Sequence, residues 1–399
     1  MERREDLTSA IGRYESYVRA DPGNPLLWLN LGDLYHKASR LDEAIACFER
    51  CLHDHPEYSN ARSHLASVRL TQHRFQDAER LLRGLLRESE PDDPSLWFNL
   101  GLSLYYQQRW PEAEECFTKA QARGLATPDC YAYLARCRHY AGDMARALEL
   151  CQQWVDTARD AESRGYLALL RMDHGDMAEA ATLAEDVLRG SPDNTNAGLV
   201  VGTASMEAQE IARASEQFER ILTREPDNAR AWLGVGLARL YQQQHTESVV
   251  ALQKAAALLP DSVGIRVTLG WATVTTRDMV RAEQVFRDAL DIDHNFAEAH
   301  GGLAVALAFQ TRVDAAKEAI KRAHGLDPHG FGAVFAQTIL LKVQGKDKMA
   351  TDILAGLLQQ APRPDSKTLI EQIEIFTRKN PPAPGKLPGG GTRTGGAVR

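Results

Sequence analysis

One short stretch of the sequence carries oxygen donors at alternate positions. Residues 291–296 read Asp-Ile-Asp-His-Asn-Phe, which begins like a calcium-binding loop. Phe296 stands where such a loop needs glycine for its sharp turn, and Gly302 stands where the bidentate glutamate belongs. We therefore expect no calcium site here.

A second stretch combines thiols with imidazoles, which are ligands that Zn²⁺ prefers. Cys47 and Cys51 lie one helical turn apart, and His53 and His55 follow. Cys51 also falls at a packing position of the repeat described below, where a thiol acts as a small hydrophobic group. Core packing is the better interpretation, and we expect no bound metal. Six cysteines in 399 residues are too sparse for a disulfide scaffold, so we expect reduced thiols.

Sequence motifs of the common enzyme classes are absent. The chain has no Walker loop, no glycine-rich dinucleotide fingerprint, no HExxH zinc motif and no GxSxG nucleophile elbow. The twelve histidines are scattered along the chain. We expect neither catalysis nor a cofactor.

Composition narrows the class of protein further. The 399 residues are 44% hydrophobic and 25% charged, with a formal charge of −7, which excludes a wholly disordered or collagen-like chain. The acidic excess gives no reason to expect a nucleic-acid partner. No window approaches 18 uninterrupted apolar residues, and residues 1–6 lack the apolar stretch of a secretory signal. We expect a cytoplasmic protein that does not insert into membranes.

A period of 34 residues organises most of the chain. One column of small residues recurs at spacings of 33 to 35: Ala44, Ala78, Ala113, Ala147, Ala180, Ala214, Ser248, Ala282, Ala316 and Ala350. A second column precedes it: Gly32, Ala66, Gly101, Ala135, Ala168, Gly202, Gly236, Gly270, Ala304 and Thr338. Two columns of small residues at one period indicate two helices in close contact, because only small side chains let the backbones approach.

The first unit shows the pattern most fully. Its residues are Trp28, Leu31, Gly32, Tyr35, Ala44, Phe48, Cys51 and Pro56. At every step but Cys51 they match the spacing W-x2-L-G-x2-Y, A-x3-F, P, so the unit closely resembles a tetratricopeptide repeat. The resemblance implies an all-α fold, a right-handed α-solenoid of tandem helix-turn-helix units with helical caps. It also implies that the first helices line a concave groove that holds a peptide or a partner helix.

The period predicts the domain organisation. Residues 1–24 form an N-terminal half repeat that acts as a capping helix, residues 365–380 form a C-terminal capping helix, and residues 381–399 form a disordered Pro/Gly-rich tail. Ten units lie between the caps: 25–58, 59–93, 94–127, 128–160, 161–194, 195–228, 229–262, 263–296, 297–330 and 331–364.

Positions 2, 5, 9, 12 and 13 of each unit face the groove if the resemblance holds. In the last five units positions 5 and 9 are mostly apolar and never charged, whereas the first five units are more polar there. The predicted partner groove consists of Leu199, Leu233, Leu237, Tyr241, Val267, Trp271, Val305, Phe309, Phe335 and Ile339. Gly264, Gly301 and Gly332 are expected to leave room for a ligand backbone. The alternative is that these apolar residues pack against one another or against the C-terminal helix.

An apolar groove predicts a protein partner, either an apolar peptide or an amphipathic helix. RNA binding would need a recurring basic or stacking pair in the groove, and none recurs. The resemblance favours a scaffold or adaptor, for instance in a bacterial secretion, pilus or polysaccharide-export assembly. The alternatives are a chaperone for an aggregation-prone exported subunit and a targeting subunit for a glycosyltransferase acting in trans.

Overall fold

The computed structural model of the chain describes residues 2–88 and 93–358. In these ranges the regular secondary structure is entirely α-helical. The chain divides into two compact units, unit 1 (Met1–Ser191) and unit 2 (Pro192–Arg399), a division that the repeat pattern did not reveal. The predicted C-terminal helix 365–380 and the tail 381–399 lie outside the described residues.

Unit 1 contains α1 (Glu2–Ala20), α2 (Pro25–Lys37), α3 (Leu41–Asp54), α4 (Ser59–Thr71), α5 (Phe75–Glu88), α6 (Pro94–Tyr105), α7 (Trp110–Ala122), α8 (Pro128–Tyr140), α9 (Met144–Ala158), α10 (Ala161–His174) and α11 (Met177–Gly190). Unit 2 contains α12 (Thr195–Glu207), α13 (Ile211–Arg224), α14 (Ala229–Tyr241), α15 (His245–Leu258), α16 (Val263–Thr275), α17 (Met279–Ile292), α18 (Ala297–Phe309), α19 (Val313–Leu326), α20 (Phe331–Val343) and α21 (Asp347–Leu358).

From residue 25 onward, each predicted repeat contains two helices, which we call the first and the second helix of a pair. Within each unit, successive pairs stack on one another. The predicted fold class, an all-α solenoid of tandem helical pairs, is confirmed. α1 precedes the first pair and packs on α2.

Short polar side chains set the start of most first helices. Each accepts a hydrogen bond from a backbone N–H of the first turn, which satisfies a donor that the helix itself leaves free. The capping residues are Asn24, Asp93, Thr127, Asp160, Asn194, Asn228 and Ser262. α18 and α20 lack such a side chain, because Phe296 and Gly330 stand at the capping position.

A left-handed residue joins the two helices of every pair, always at position 15 of the repeat. Glycine occupies this position in three pairs, for example Gly175 with φ of 106°. In the other pairs a residue with a side chain adopts the left-handed conformation at this position. Thr311 does so with φ of 58° although it is β-branched. Since the turn is the same throughout, every pair folds back at the same place.

In most pairs the core is a large side chain of the second helix that packs on a small residue of the first. Phe48 and Phe286 are fully buried, and each ring lies directly over the backbone of a glycine. A methyl group on Gly32 would lie 2.5 Å from the Phe48 ring, and one on Gly270 would lie 2.5 Å from the Phe286 ring. Such a distance is too short for any real carbon–carbon contact, so these positions require glycine.

The two columns vary together along the chain. Glycine faces phenylalanine in four pairs, which are Gly32–Phe48, Gly101–Phe117, Gly202–Phe218 and Gly270–Phe286. Alanine occupies the first-helix position where the second helix carries a smaller residue: Ala66–Leu82, Ala135–Cys151, Ala168–Ala184 and Ala304–Ile320. The exchange of glycine with phenylalanine for alanine with a smaller residue holds in eight of the ten pairs, whereas the other two combine Gly236 with Leu252 and Thr338 with Leu354.

The two units differ in what covers the other side of the phenylalanine. In unit 1 a ring of the next first helix does so: Tyr133 stacks on Phe117 with centroids 5.3 Å apart. In unit 2 a second glycine does so, because a methyl group on Gly302 would lie 2.2 Å from the Phe286 ring. Successive first helices therefore approach more closely around the phenylalanines of unit 2.

A buried carboxylate links neighbouring pairs in unit 2. Glu283 has a side chain only 6% exposed, and it pairs with Arg312 of the next pair at 2.7 Å and with Arg287 at 2.5 Å. Burial alone raises the pKa of Glu283, but the hydrogen bonds from Gln310 and Arg312 and the charge of Arg287 lower it overall. The stability that this group contributes is therefore present above its ordinary pKa and lost as the pH falls through the lowered value. Unit 1 carries the same arrangement around Glu79.

We predict that Gly270→Ala lowers the free energy of unfolding by about 1–3 kcal/mol, because the new methyl group collides with the Phe286 ring. Adding Phe286→Leu to this variant recreates the native combination Ala66–Leu82. The double variant should lose less stability than the two single changes together, with a coupling of about 1 kcal/mol or more in urea unfolding.

Gly264 provides the matched control for this experiment, since it lies in the same helix and a methyl group there would have no neighbour within 4 Å. Gly264→Ala should be neutral or stabilising, because alanine favours the helix. Equal destabilisation by both alanine variants would contradict the proposed contact.

Candidate protein-binding site

The ten residues of the predicted groove all lie on first helices of unit 2, which are α12, α14, α16, α18 and α20. They fall into three groups. Five pack together around Trp271, three are buried or partly buried elsewhere, and Tyr241 and Phe309 are exposed.

Five of the ten gather around one tryptophan. Trp271 packs in the clusters that contain Val267, Val305, Phe335 and Ile339, and Val305 is fully buried. The Trp271 ring also makes edge contacts, at 5.6 Å between centroids, with both Phe286 and Phe331. Val267 and Val305 are buried, whereas Trp271, Phe335 and Ile339 are partly exposed, so the open groove and the self-packing alternative both stay predictions for these residues.

Two glycines that were expected to admit a ligand contact each other instead. A methyl group on Gly301 would lie 2.9 Å from Cα of Gly332, and one on Gly332 would lie 2.7 Å from the carbonyl carbon of Gly301. The backbones of α18 and α20 are therefore in direct contact. The expectation of room for a ligand backbone at Gly301 and Gly332 is wrong, because the neighbouring helix fills that space.

The remaining predicted residues leave a smaller open surface. Leu199 is buried, and Leu233 and Leu237 are partly buried. Tyr241 is 41% exposed and Phe309 is 47% exposed. Of the ten predicted residues, the two that are exposed thus lie at the ends of α14 and α18.

A carboxylate lies beside Trp271. Glu298 of α18 accepts a hydrogen bond from the backbone N–H of Gly332 at 3.3 Å and another from the Trp271 side chain. It caps the first turn of α20, where Gly330 offers no side chain. Burial raises the pKa of Glu298, and the negative charge of Asp327 adds to this, against the lowering effect of the two hydrogen bonds.

Unit 1 carries a surface that the sequence analysis missed. We define the aromatic face as Tyr105, Tyr106, Trp110, Tyr133 and Tyr140, which come from α6, the turn after it, α7 and α8. Tyr106 is 51% exposed and Tyr140 is 55% exposed.

The rings of the aromatic face support one another. Trp110 stacks on Tyr140 with centroids 4.7 Å apart, and Tyr105 makes edge contacts with Trp110 at 5.1 Å and with Tyr133 at 5.1 Å. Burial raises the pKa of both Tyr105 and Tyr133, so these hydroxyls remain neutral hydrogen-bonding groups. Rings fixed in this way present their surfaces to a ligand with little loss of conformational entropy.

The cation Arg136 lies next to the aromatic face. The Arg136 guanidinium lies 5.5 Å from the ring centroid of Tyr133, 4.9 Å from that of Trp154 and 5.3 Å from that of Tyr166. Its side chain is 20% exposed, whereas its ion-pair partner Glu162, 3.0 Å away, is 65% exposed. Burial works to lower the pKa of Arg136, but Tyr105, Tyr166 and Glu162 raise it overall. Arg136 is therefore a fixed cation whose carboxylate partner lies mostly in solvent.

Two hydrogen-bond contacts of His139 hold α8 and α10 together beside the aromatic face. His139 Nδ1 lies 2.9 Å from the Tyr166 hydroxyl, and His139 Nε2 lies 3.0 Å from Asp173 Oδ2. These contacts join α8 to α10 and fix the Tyr166 ring beside Arg136. Because both ring nitrogens of His139 are engaged, we interpret this histidine as structural.

The sequence did contain a signal for the aromatic face. Tyr105 and Tyr106 occupy positions 12 and 13 of their repeat, and Tyr140 occupies position 13 of the next. The resemblance placed both positions in the groove. None of these three tyrosines falls at position 5 or 9, the positions at which the two halves of the chain differ in polarity.

The cysteine thiols and the possible metal ligands do not form a reactive site among the described residues. All six cysteines are free and buried, and burial raises the pKa of Cys47 to about 12 and of Cys116 to about 11. Among residues 2–88 and 93–358, no group of three or more His, Cys, Asp or Glu side chains is arranged to hold a metal ion. Within the same ranges, no helix is long and apolar enough to cross a membrane.

We predict that Glu298→Gln preserves the cap on α20 and raises the free energy of unfolding at neutral pH, because it removes a half-buried charge. A carboxyl group with a raised pKa destabilises the folded state above that pKa, so the advantage of glutamine should shrink as the pH falls through it. Urea unfolding of both proteins across pH 4 to 8 measures this. Glu298→Ala, which loses the acceptor, should instead cost about 0.5–2 kcal/mol. A glutamine variant less stable than the parent at pH 7 would contradict this account of Glu298.

Comparison with known proteins agrees with the repeat. A family model described as tetratricopeptide repeat matches residues 3–68, 36–101 and 171–237, and a second model of the same description matches residues 99–163. Together these matches cover more than half of the chain.

Among curated proteins, the human cilia- and flagella-associated protein 70 is 28% identical over 175 residues, which is 42% of this chain. The match spans only 14% of that protein's length.

Two solved structures are similar as well. Yeast Tom70 shares 16% identity with a TM-score of 0.38, over 94% of this chain and 92% of that one. A tetratricopeptide repeat protein from Parabacteroides merdae shares 21% identity with a TM-score of 0.48, over 59% of this chain and 93% of that one. On the strength of the repeat, its helical pairs and the matching family models, the chain belongs to the tetratricopeptide repeat family.

Proposed function

We propose that this protein is a non-enzymatic scaffold that binds a segment of another protein, with the aromatic face and Arg136 of unit 1 as its main contact. One observation supports this most strongly. Tyr106 and Tyr140 remain more than half exposed although their neighbouring rings hold them rigidly. Exposed, ordered aromatic side chains next to a cation are typical of surfaces that bind proteins.

The chemistry of the surface describes the segment it would bind. Arg136 suits a carboxylate, which would replace the largely solvated Glu162 as its partner. The Tyr106 and Tyr140 rings suit apolar or aromatic side chains on either side of that carboxylate. An amphipathic helix or an extended apolar peptide with one acidic residue meets these requirements of unit 1. In unit 2, taken by itself, the exposed side chains of Tyr241 and Phe309 suit a separate, purely apolar stretch.

The narrower roles suggested by the sequence stay predictions. The first is a scaffold role in a bacterial secretion, pilus or polysaccharide-export assembly. The others are a chaperone role for an aggregation-prone exported subunit and the targeting of a glycosyltransferase that acts in trans. A cytoplasmic location also stays a prediction.

A photo-crosslinking amino acid placed at Tyr140 of the full chain tests the proposal. In extracts of the source organism it should give covalent adducts with a small set of proteins. Arg136→Gln should reduce their yield by about tenfold, because a charged hydrogen bond contributes about 1.5–3 kcal/mol. Tyr106→Ala, a change at an exposed side chain that should leave the fold intact, should also reduce the yield.

The same crosslinker at Val280 is the matched control, since Val280 is 71% exposed and lies on a second helix. It should give none of the Tyr140 adducts. The proposal fails if the two positions give the same adducts, or if Arg136→Gln and Tyr106→Ala leave the yield from Tyr140 unchanged while circular dichroism shows both variants folded.

A further inference from the structure

A cleft of about 730 Å³ lies between α9 and α11 of unit 1, with α10 as its base. Its floor is apolar: Leu167 is 5% exposed, and Val155 and Leu183 are partly buried. Gln152 and Thr182 on its rim are exposed, so the cleft is open to solvent. We call this surface the α9–α11 cleft.

The α9–α11 cleft faces away from the aromatic face. The α10 side chains that contact Arg136 and His139 of α8 are Glu162, Tyr166 and Asp173. The α10 side chains that line the cleft are Arg164, Leu167 and Arg171. Successive residues of a helix are about 100° apart, so the two sets project from nearly opposite sides of α10. The cleft is therefore a separate surface, and what it binds does not depend on the function proposed above.

Arg171 differs from the arginines at the same position of other repeats. Position 11 is arginine in four repeats, and in three of them it pairs with a carboxylate of the preceding second helix. These pairs are Arg69–Glu49 at 3.3 Å, Arg138–Glu114 at 2.5 Å and Arg239–Glu219 at 2.5 Å. The helix that precedes Arg171 is α9, which carries Leu148 and Gln152 where the other helices carry these glutamates. Gln152 donates instead to Asp156 of its own helix at 2.9 Å.

The carboxylate that does pair with Arg171 comes from the other side of the cleft. Glu179 of α11 lies 2.6 Å from Arg171, and its side chain is 69% exposed. An ion pair this exposed contributes little to stability, so another carboxylate can replace Glu179 at little cost. The two other arginines of the cleft, Arg164 and Arg189, share Asp186. The charged residues that line the cleft are thus three arginines and two carboxylates.

We propose that the α9–α11 cleft binds a segment of a partner protein that places a carboxylate on Arg171 and aliphatic side chains on the apolar floor. The carboxylate takes the part that Glu219 plays for Arg239 in unit 2. A small molecule fits this cleft less well. Pockets for small ligands cover most of the ligand surface, whereas the open rim would leave much of such a ligand in water.

Disulfide capture of short peptides by the full chain tests the proposal. Thr182→Cys places a thiol on the rim, whereas the six native cysteines are buried. The probes are capped peptides of cysteine, leucine and a single glutamate, with the glutamate at each position after the cysteine in turn. Each competes in a redox buffer with the same peptide carrying glutamine, and mass spectrometry gives the ratio of the two adducts. For the best-placed glutamate we expect a ratio of about fivefold or more, because hydrogen bonds between charged groups are stronger than those of a neutral amide.

Two variants of the Thr182→Cys chain localise the carboxylate. Arg171→Gln should bring the ratio to about one, since no cation is then left without a carboxylate from α9. Gln152→Glu should do the same, because the new carboxylate would occupy Arg171, and this change at an exposed position should leave the fold intact. Arg136→Gln should leave the ratio unchanged, which separates a failure here from a failure of the aromatic face.

Val250→Cys is the matched control. Val250 holds the same repeat position as Thr182, is 50% exposed and lines the equivalent cleft of unit 2, where Arg239 already pairs with Glu219. It should show no preference for glutamate. A ratio near one for every peptide at Thr182→Cys would overturn the proposal. An equal preference at Val250→Cys would also overturn it, as would a preference that persists in Arg171→Gln or Gln152→Glu.

A second set of peptides tests the apolar floor. With glycine in place of leucine, capture by Thr182→Cys should fall, because the aliphatic side chains no longer cover Leu167 and its neighbours. Undiminished capture of the glycine peptides would overturn the proposed segment, since the cleft would then bind a carboxylate alone.

Discussion

The contact of a large side chain with a small one, across the two helices of each pair, is the interaction on which the structure depends. Phe48, Phe117, Phe218 and Phe286 are at most 2% exposed, and each lies against a glycine backbone. The close approach buries each ring, and close packing of this kind is how protein interiors gain stability. Because each pair satisfies this contact by itself, the array extends by stacking one complete pair on the next.

The same contact explains why the two units offer different surfaces. In unit 1, Tyr133 stacks on Phe117, and its neighbours continue into a cluster of rings that surrounds Arg136. In unit 2, Gly234 and Gly302 take the equivalent positions, so the next first helix moves close. In unit 1 the ring of Tyr133 covers Phe117, and its neighbours Tyr106 and Tyr140 remain more than half exposed. Glycine brings α18 and α20 of unit 2 together and buries much of what a partner would otherwise reach.

The sequence predicted the repeat well because its signal is local and repeated. The small-residue columns, the helical pairs and the position of each turn all follow from residues 34 positions apart. The sequence did not predict which of the groove residues are buried, because burial depends on how closely neighbouring pairs approach. Val305 is apolar like Tyr241, yet only Tyr241 remains exposed. Glu298 was missed because its role depends on the missing cap at Gly330, two structural elements away.

The central claim is that phenylalanine rings lie directly over glycine backbones. Proton NMR of the chain labelled at glycine tests it most directly, because an aromatic ring shifts the resonances of protons above its face. The account predicts that the Hα resonances of Gly32, Gly101, Gly202 and Gly270 are displaced upfield. The Hα resonances of Gly236, which faces Leu252 instead of a ring, should show no such displacement from that side chain. Ordinary shifts for all five glycines would contradict the account.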